Sequence, residues 1–337
     1  MTGSLVQFLV SAVVIVMAGA GLTVFGEIIA QRTRIGRLLV GSILIAGATS
    51  LPELAIDINA VAQGSVDLAV GDLIGSSLFN LGILAVLDLT RYSQGRMLSR
   101  SSARHAVAGS VSIALTAVAA VFIFLGPMTE AVTLGRIGLG SVALAISYSL
   151  GIRLVYDVEK QERPSGSEES DVSTPPWGRK LGLKGAVAGY VVAAVMILAA
   201  APFLARAAAD LAERSGLGGT FFGTTFVALC TSLPEVVTTF SAIRMKSFDL
   251  ALGNILGSNC FNMLILAVLD VVDEGSLFAN VAAVHVYTAL CVILVTTVVI
   301  LGQLSRVERR RHVLEPDAWL ALGLILASLT GLYFVRQ

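Results

Sequence analysis

The sequence predicts an all-α membrane protein whose chain crosses the bilayer ten times, as two five-helix repeats of inverted topology. Three observations predict this. Of 337 residues, 55% are hydrophobic and only 14% charged, with a mean hydropathy of +0.84, against roughly 25% charged residues in a soluble domain. Apolar stretches of about 20 residues, enough for a helix to span a ~30 Å hydrocarbon layer, recur along nearly the whole chain. A long segment of the first half also reappears in the second.

The spans fall at 4–26, 36–62, 66–90, 104–126 and 131–155, then at 183–210, 218–243, 248–270, 279–303 and 317–335. The first follows a chargeless Met1 to Ser4 and lacks the basic n-region of a cleaved leader, so it is expected to be a retained span. Between the halves, Asp157 to Lys180 holds ten charged residues in twenty-four, with Pro175 and Pro176, and reads as a solvated linker. The chain therefore divides into a first repeat, 1–156, a linker, 157–180, and a second repeat, 181–337.

Loops rich in Lys and Arg stay cytoplasmic. With both termini outside, the cytoplasmic side collects Arg32, Arg34 and Arg37; Arg91, Arg96, Arg100 and Arg104; six residues between Arg153 and Lys184; Arg244 and Lys246; and Arg306 with Arg309 to Arg311. Only Arg136, Arg206, Arg214 and Arg336 remain outside. The expected location is the cell membrane, the inner one, of a prokaryote. With 23 basic and 23 acidic residues, nothing argues for nucleic acid; the expected surroundings are lipid, with no obligatory protein partner. Cys230, Cys260 and Cys291 sit apart in apolar stretches and read as packing residues, as do the isolated His105, His285 and His312.

At an offset of 182 residues, Thr49 to Asp88 aligns without a gap on Thr231 to Asp270, and 21 of 40 positions are identical. The matches include Thr-Ser-Leu-Pro-Glu (49–53 and 231–235), Gly-Ser-x-x-Phe-Asn (75–80 and 257–262) and Ile-Leu-Ala-Val-Leu-Asp (83–88 and 265–270). Shared apolar composition does not align prolines, carboxylates and asparagines. Because each half has an odd number of spans, the second copy sits upside down relative to the first. Inverted repeats of this kind build many secondary transporters, with broken helices placing a site near the bilayer midplane.

Pro52 and Pro234 fall near the centres of their spans and remove a helical hydrogen bond, so a break is expected at each. Carbonyls freed around Ala46 to Ser50 and Ala228 to Ser232 must then face protein, water or an ion. Glu53 and Glu235 follow directly. A carboxylate at mid-membrane costs at least about 2.5 kcal/mol on insertion scales, and no Lys or Arg stands at that depth. Two carboxylates balance one divalent cation. Calcium takes oxygens from carboxylates, carbonyls and water, whereas magnesium dehydrates reluctantly; Thr49 and Thr231 carbonyls complete such a shell. Ser50, Ser76 and Asn80, with Ser232, Ser258 and Asn262, are neutral hard ligands suited to sodium, and the bland alternative is helix-to-helix hydrogen bonding. Gly71, Gly75, Gly253 and Gly257 read as close-approach positions. Asp57 and Asp72 face Thr239 and Asn254 across the repeat; Asp72 is a candidate proton or cation group.

The two motifs resemble the α-repeats of the cation/calcium exchanger superfamily, approximately A-x-G-T-S-L-P-E followed by G-N-x-x-G-S-N-x-x-N, and are nearest to its sodium/calcium antiporter branch with short prokaryotic members. The resemblance implies Glu53 and Glu235 as calcium ligands, helped by Thr49 and Thr231 backbone oxygens. It implies sodium sites from Ala46, Thr49, Ser50, Ser76 and Asn80, and from Ala228, Thr231, Ser232, Ser258 and Asn262. The sequence departs from the pattern at Ala48 and Cys230, which replace a glycine, and at Asp72 and Ser77, which replace asparagines.

The expected function is thus secondary sodium/calcium antiport by alternating access, with Ca2+ and Na+ as cargo, no cofactor and no enzymatic activity. A proton/calcium antiporter of the same fold is the alternative, through Asp72 or the glutamates; a passive cation channel is a further one. An intramembrane hydrolase is disfavoured, since neither G-x-S-x-G nor H-E-x-x-H occurs.

Overall fold

A computed structural model describes residues 2–89, 103–129, 133–134, 137–161, 172–215, 228–273, 277–304 and 316–335. In chain order these form α1 (Thr2–Thr33), α2 (Arg37–Val40), α3 (Ala46–Ala62), α4 (Val66–Asp88), α5 (Ala103–Thr129) and α6 (Leu139–Gln161). They continue as α7 (Pro176–Arg179), α8 (Leu183–Arg214), α9 (Leu233–Arg244), α10 (Phe248–Val272), α11 (Leu277–Asn280), α12 (Val284–Leu304) and α13 (Pro316–Val335). A π-helical turn, Gly41–Ile45, leads into α3. The all-α expectation needs one small correction, a two-residue antiparallel ladder of Thr133–Leu134 with Ile137–Gly138 ahead of α6.

Among the described residues, eight helices are long and apolar enough to cross a membrane, and they coincide with eight of the expected stretches. In the stretch 218–243, residues 218–227 lie outside the described residues and the rest is helical at 228–231 and 233–244. The last stretch carries a shorter apolar helix, Ala318–Leu332. The long helices expose apolar side chains on their outer faces, Leu5, Leu9, Val13 and Met17 on α1 and Val187, Val191 and Val195 on α8. Water would penalise so large an apolar surface and hydrocarbon does not. The chain is an integral membrane protein.

Two compact units divide the chain, Met1–Pro52 with Arg163–Ile255 and Glu53–Glu162 with Leu256–Gln337, so the division runs through α3 and α10. In the first unit α1 packs along α8 and against α9. Gly19 lets Val237 approach, and the Thr23 hydroxyl donates to Thr238 O at 3.2 Å. The chain before α3 meets α10 backbone to backbone: a Cβ on Gly253 would stand 2.3 Å from Leu38 O, and one on Gly41 2.5 Å from Leu250 O.

α1 runs seven residues past its expected end at 26, and Glu27, itself wholly buried, finds partners there: Arg37 Nε at 2.7 Å, Gln31 Nε2 at 2.8 Å and Ser247 Oγ at 2.6 Å. Part of the stretch expected as a linker packs against the rest of the first unit. Residues 162–171 lie outside the described residues, but Ser173 N bonds Met245 O at 2.9 Å, Trp177 packs edge-on to Phe25, and Gly178 is buried against Val24 and Ile28. An aromatic ring and a side chain of no volume suit residues 172–180 to docking on α1, despite the charges around them.

In the second unit α5 packs against α6 and α12, and α4 against α12 and α13. Arg104 reaches Glu159 at 3.4 Å where both are buried, so α6 extends to Gln161 beyond its expected end at 155. Asp270, part of the repeated motif, accepts from Gly138 N, Ser141 Oγ and Leu277 N at 2.9, 2.5 and 3.2 Å. His285 packs over Gly71, with Nε2 3.2 Å from Asp67 Oδ1. Arg91, Arg96, Arg100, Arg136, Arg306, Arg309 to Arg311, Arg336 and His312 lie outside the described residues.

Candidate functional site

The two copies of Thr-Ser-Leu-Pro-Glu take different backbone paths. In the second, helix at 228–231 gives way to a turn at Ser232, with φ −80° and ψ 7°, and α9 starts at Leu233. Pro234 thereby sits in a first helical turn, where its missing N–H is not needed, and Glu235 lies in the same turn. The first copy corrects the expectation of a break: α3 is continuous from Ala46 to Ala62 with Pro52 inside it. A proline removes one bond, and a helix can carry that loss where its surroundings satisfy the freed carbonyl. The irregularity lies upstream instead, as the π turn at Gly41–Ile45, where the Tyr190 hydroxyl donates to Leu44 O at 2.5 Å.

Both glutamates are buried, Glu53 at 2% exposure and Glu235 at 1%. The Thr49 and Thr231 hydroxyls repeat one contact, donating to Ala46 O at 3.2 Å and Ala228 O at 2.9 Å. The first unit holds Ala46, Thr49, Ser50, Ala228, Thr231, Ser232 and Glu235; the second holds Glu53, Ser76, Asn80, Ser258 and Asn262. The hydroxyl oxygens of Ser50, Ser76 and Ser232, and the amide oxygens of Asn80 and Asn262, are buried with no hydrogen-bond partner among the described residues. Leaving a buried polar atom unpaired costs about 1–3 kcal/mol, and five are left so at positions set by the repeat.

The nitrogen ends of the same asparagines are bonded. Asn80 Nδ2 donates to Asn259 Oδ1 at 3.1 Å, and Asn262 Nδ2 donates to Ser77 Oγ and Leu73 O, both at 3.1 Å. Positions 77 and 259 are equivalent under the 182-residue offset, as are 80 and 262, so the two bonds exchange the same register positions. The sequence marks Ser77 only as a departure from a pattern and does not single out Asn259. The one signal it carries for both is their place three residues before each asparagine, one helical turn away.

Asn254 Nδ2 donates to the Thr238 and Thr239 hydroxyls, both at 2.9 Å. The first copy has Asp72 and Asp57 where the second has Asn254 and Thr239. Asp57 is 1% exposed, and its Oδ2 has no hydrogen-bond partner among the described residues. Of the motif glycines, Gly253 makes the close approach, Gly71 lies under His285, and Gly75 faces open space, where an added Cβ would meet nothing within 4 Å. Among the described residues no three His, Cys, Asp or Glu side chains converge. Carboxylate, hydroxyl, amide and carbonyl oxygens are hard donors, of a kind that suits calcium or sodium and not a soft metal.

The pattern of the family described as "Sodium/calcium exchanger protein" matches residues 3–156 and 185–335. CaxA of Alkalimonas amylolytica, a putative antiporter, is 27% identical over 311 residues, covering 90% of this chain and 92% of its own. The sodium/calcium exchanger MaX1 of Methanosarcina acetivorans is 26% identical over 302 residues, covering 80% and 84%. The fold matches that of the sodium-calcium exchanger NCX_Mj with a TM-score of 0.69 at 19% identity, over 97% of this chain and 98% of that one.

Proposed function

The chain belongs to the sodium/calcium exchanger protein family, a family of transporters, and from that premise we propose that it is a secondary antiporter that exchanges Na+ for Ca2+ by alternating access. Glu53 and Glu235 serve one calcium ion, with main-chain oxygens of Thr49 and Thr231. Sodium uses Ala46, Thr49, Ser50, Ser76 and Asn80 in the first copy, and Ala228, Thr231, Ser232, Ser258 and Asn262 in the second. The observation that carries this reading is the repeated set of buried oxygens on Ser50, Ser76, Asn80, Ser232 and Asn262 without hydrogen-bond partners among the described residues, together with two buried carboxylates. Neutral oxygens turned away from all donors are what a dehydrated cation requires.

The architecture we propose is two inverted five-span repeats, 1–156 and 181–337, with a cytoplasmic linker at 157–180 and both termini outside, in the cell membrane of a prokaryote. Two copies of opposite orientation give two conformations of similar energy, each opening the ions to one side. Sodium and calcium then bind in turn, and the downhill ion drives the other. In proteoliposomes, calcium uptake should require an opposing sodium gradient; uptake indifferent to sodium rejects the reading.

One observation favours a second reading. Asp57 and Asp72 stand where the other copy has a neutral hydrogen-bonded pair, Thr239 and Asn254, which offers a proton an acidic seat. Calcium flux driven by a pH gradient alone would select proton/calcium antiport.

A further inference from the structure

We infer that Asn259 is a positioning residue that determines which end of the Asn80 side chain is presented to the cation. This rests on the reading above, in which Asn80 and Asn262 contribute amide oxygens.

A side-chain amide has an acceptor end and a donor end, and a half-turn exchanges them. Only the acceptor end binds a cation; the donor end repels it. Each amide must therefore be held the right way round. The Ser77 main-chain carbonyl can only accept, so Asn259 must turn Nδ2 towards it, which it does at 3.2 Å. Its Oδ1 is then fixed on the other side, where Asn80 meets it at 3.1 Å. Asn80 can meet an oxygen only with Nδ2, so its own Oδ1 is forced away, to the place where it has no partner among the described residues. One carbonyl thus settles two amides in series.

The equivalent asparagine is held differently. Asn262 Nδ2 donates directly to a main-chain carbonyl, Leu73 O, and also to Ser77 Oγ, both at 3.1 Å. Ser77 in turn donates to Leu73 O at 2.9 Å. Asn262 therefore keeps its orientation if Ser77 is lost, whereas Asn80 Nδ2 has a single acceptor among the described residues, Asn259. Equivalent positions carry unequal duties, and the inequality follows from a serine at 77 and an asparagine at 259.

Sodium-dependent release of radiolabelled calcium from proteoliposomes tests this, with the half-saturating sodium concentration as the readout and calcium–calcium exchange as the control. N259L and N259A should each raise half-saturating sodium roughly tenfold, the worth of one orienting hydrogen bond in a buried site, with calcium–calcium exchange retained. N259D keeps an acceptor for Asn80 and should stay within about threefold or bind sodium more tightly. S77A should shift it no more than about twofold, because Leu73 O still holds Asn262. In an N80A background, N259L should add nothing further. If N80A weakens sodium and neither N259L nor N259A does, Asn259 does not position Asn80, and the ion assignment survives. A shift from N259L that persists at full size in the N80A background makes Asn259 a packing residue and overturns the inference. If N80A leaves sodium unchanged, the ion assignment fails and the inference fails with it.

Discussion

Arg37 Nε stands 2.7 Å from Glu27 Oε1, so the start of α2 is tied to a carboxylate that is wholly buried in α1. Gln31 and Ser247 complete the shell of that carboxylate, at 2.8 and 2.6 Å. Breaking a buried pair by removing one partner typically costs about 3–5 kcal/mol, but the two partners are not equally buried. The Arg37 side chain retains 14% exposure, and that of Glu27 none. R37M strands a buried anion, whereas E27Q strands a cation that can reach solvent and keeps two hydrogen-bond partners. R37M should therefore lower the thermal unfolding midpoint in detergent more than E27Q does. Equal midpoints, or the reverse order, would show that burial does not set the cost of breaking the pair.

Gly253 and Gly75 occupy the same repeated motif and should respond oppositely to alanine. A Cβ at 253 lands 2.3 Å from Leu38 O and 3.1 Å from Gly41 Cα, both main chain, while one at 75 meets nothing. G253A is expected to destabilise by about 1–3 kcal/mol as an overpacked contact. G75A should be neutral or gain up to about 1 kcal/mol from helix propensity. Denaturation of the two variants in one detergent checks both signs.

Asp72 separates the two coupling readings. Under sodium coupling, D72N installs the residue that the second copy already carries as Asn254, and sodium-driven calcium flux should persist near the wild-type rate. A pH gradient alone should move no calcium in either protein. Flux driven by pH in the wild type and lost in D72N would replace sodium with protons as the coupling ion.

Much of the site is legible in the chain because duplication doubles its signal. Glu53, Glu235, Ser50, Ser76, Asn80, Ser232, Ser258 and Asn262 stand out once forty residues are laid on their copies, and each of these eight is buried. The continuity of α3 through Pro52 is not legible, since whether a proline breaks a helix depends on what its surroundings offer the freed carbonyl. Glu27 is hidden because a charge near the end of an apolar stretch resembles a solvated terminus; its three partners come from positions 31, 37 and 247. Gly75 and Gly253 look alike in sequence, and only the neighbour facing each one distinguishes open space from a backbone contact. Asn259 acts through a residue on another helix, and no periodicity within one segment can record that.

The proposed exchange stands or falls with a single calcium ion shared by Glu53 and Glu235. Exchange of radiolabelled calcium in proteoliposomes carrying E53Q or E235Q, with and without a sodium gradient, decides it. Shared ligation predicts that either single substitution abolishes calcium transport under both conditions, with the protein still folded by its unfolding midpoint. Calcium exchange at the wild-type rate in either variant would mean that the two carboxylates do not serve one ion.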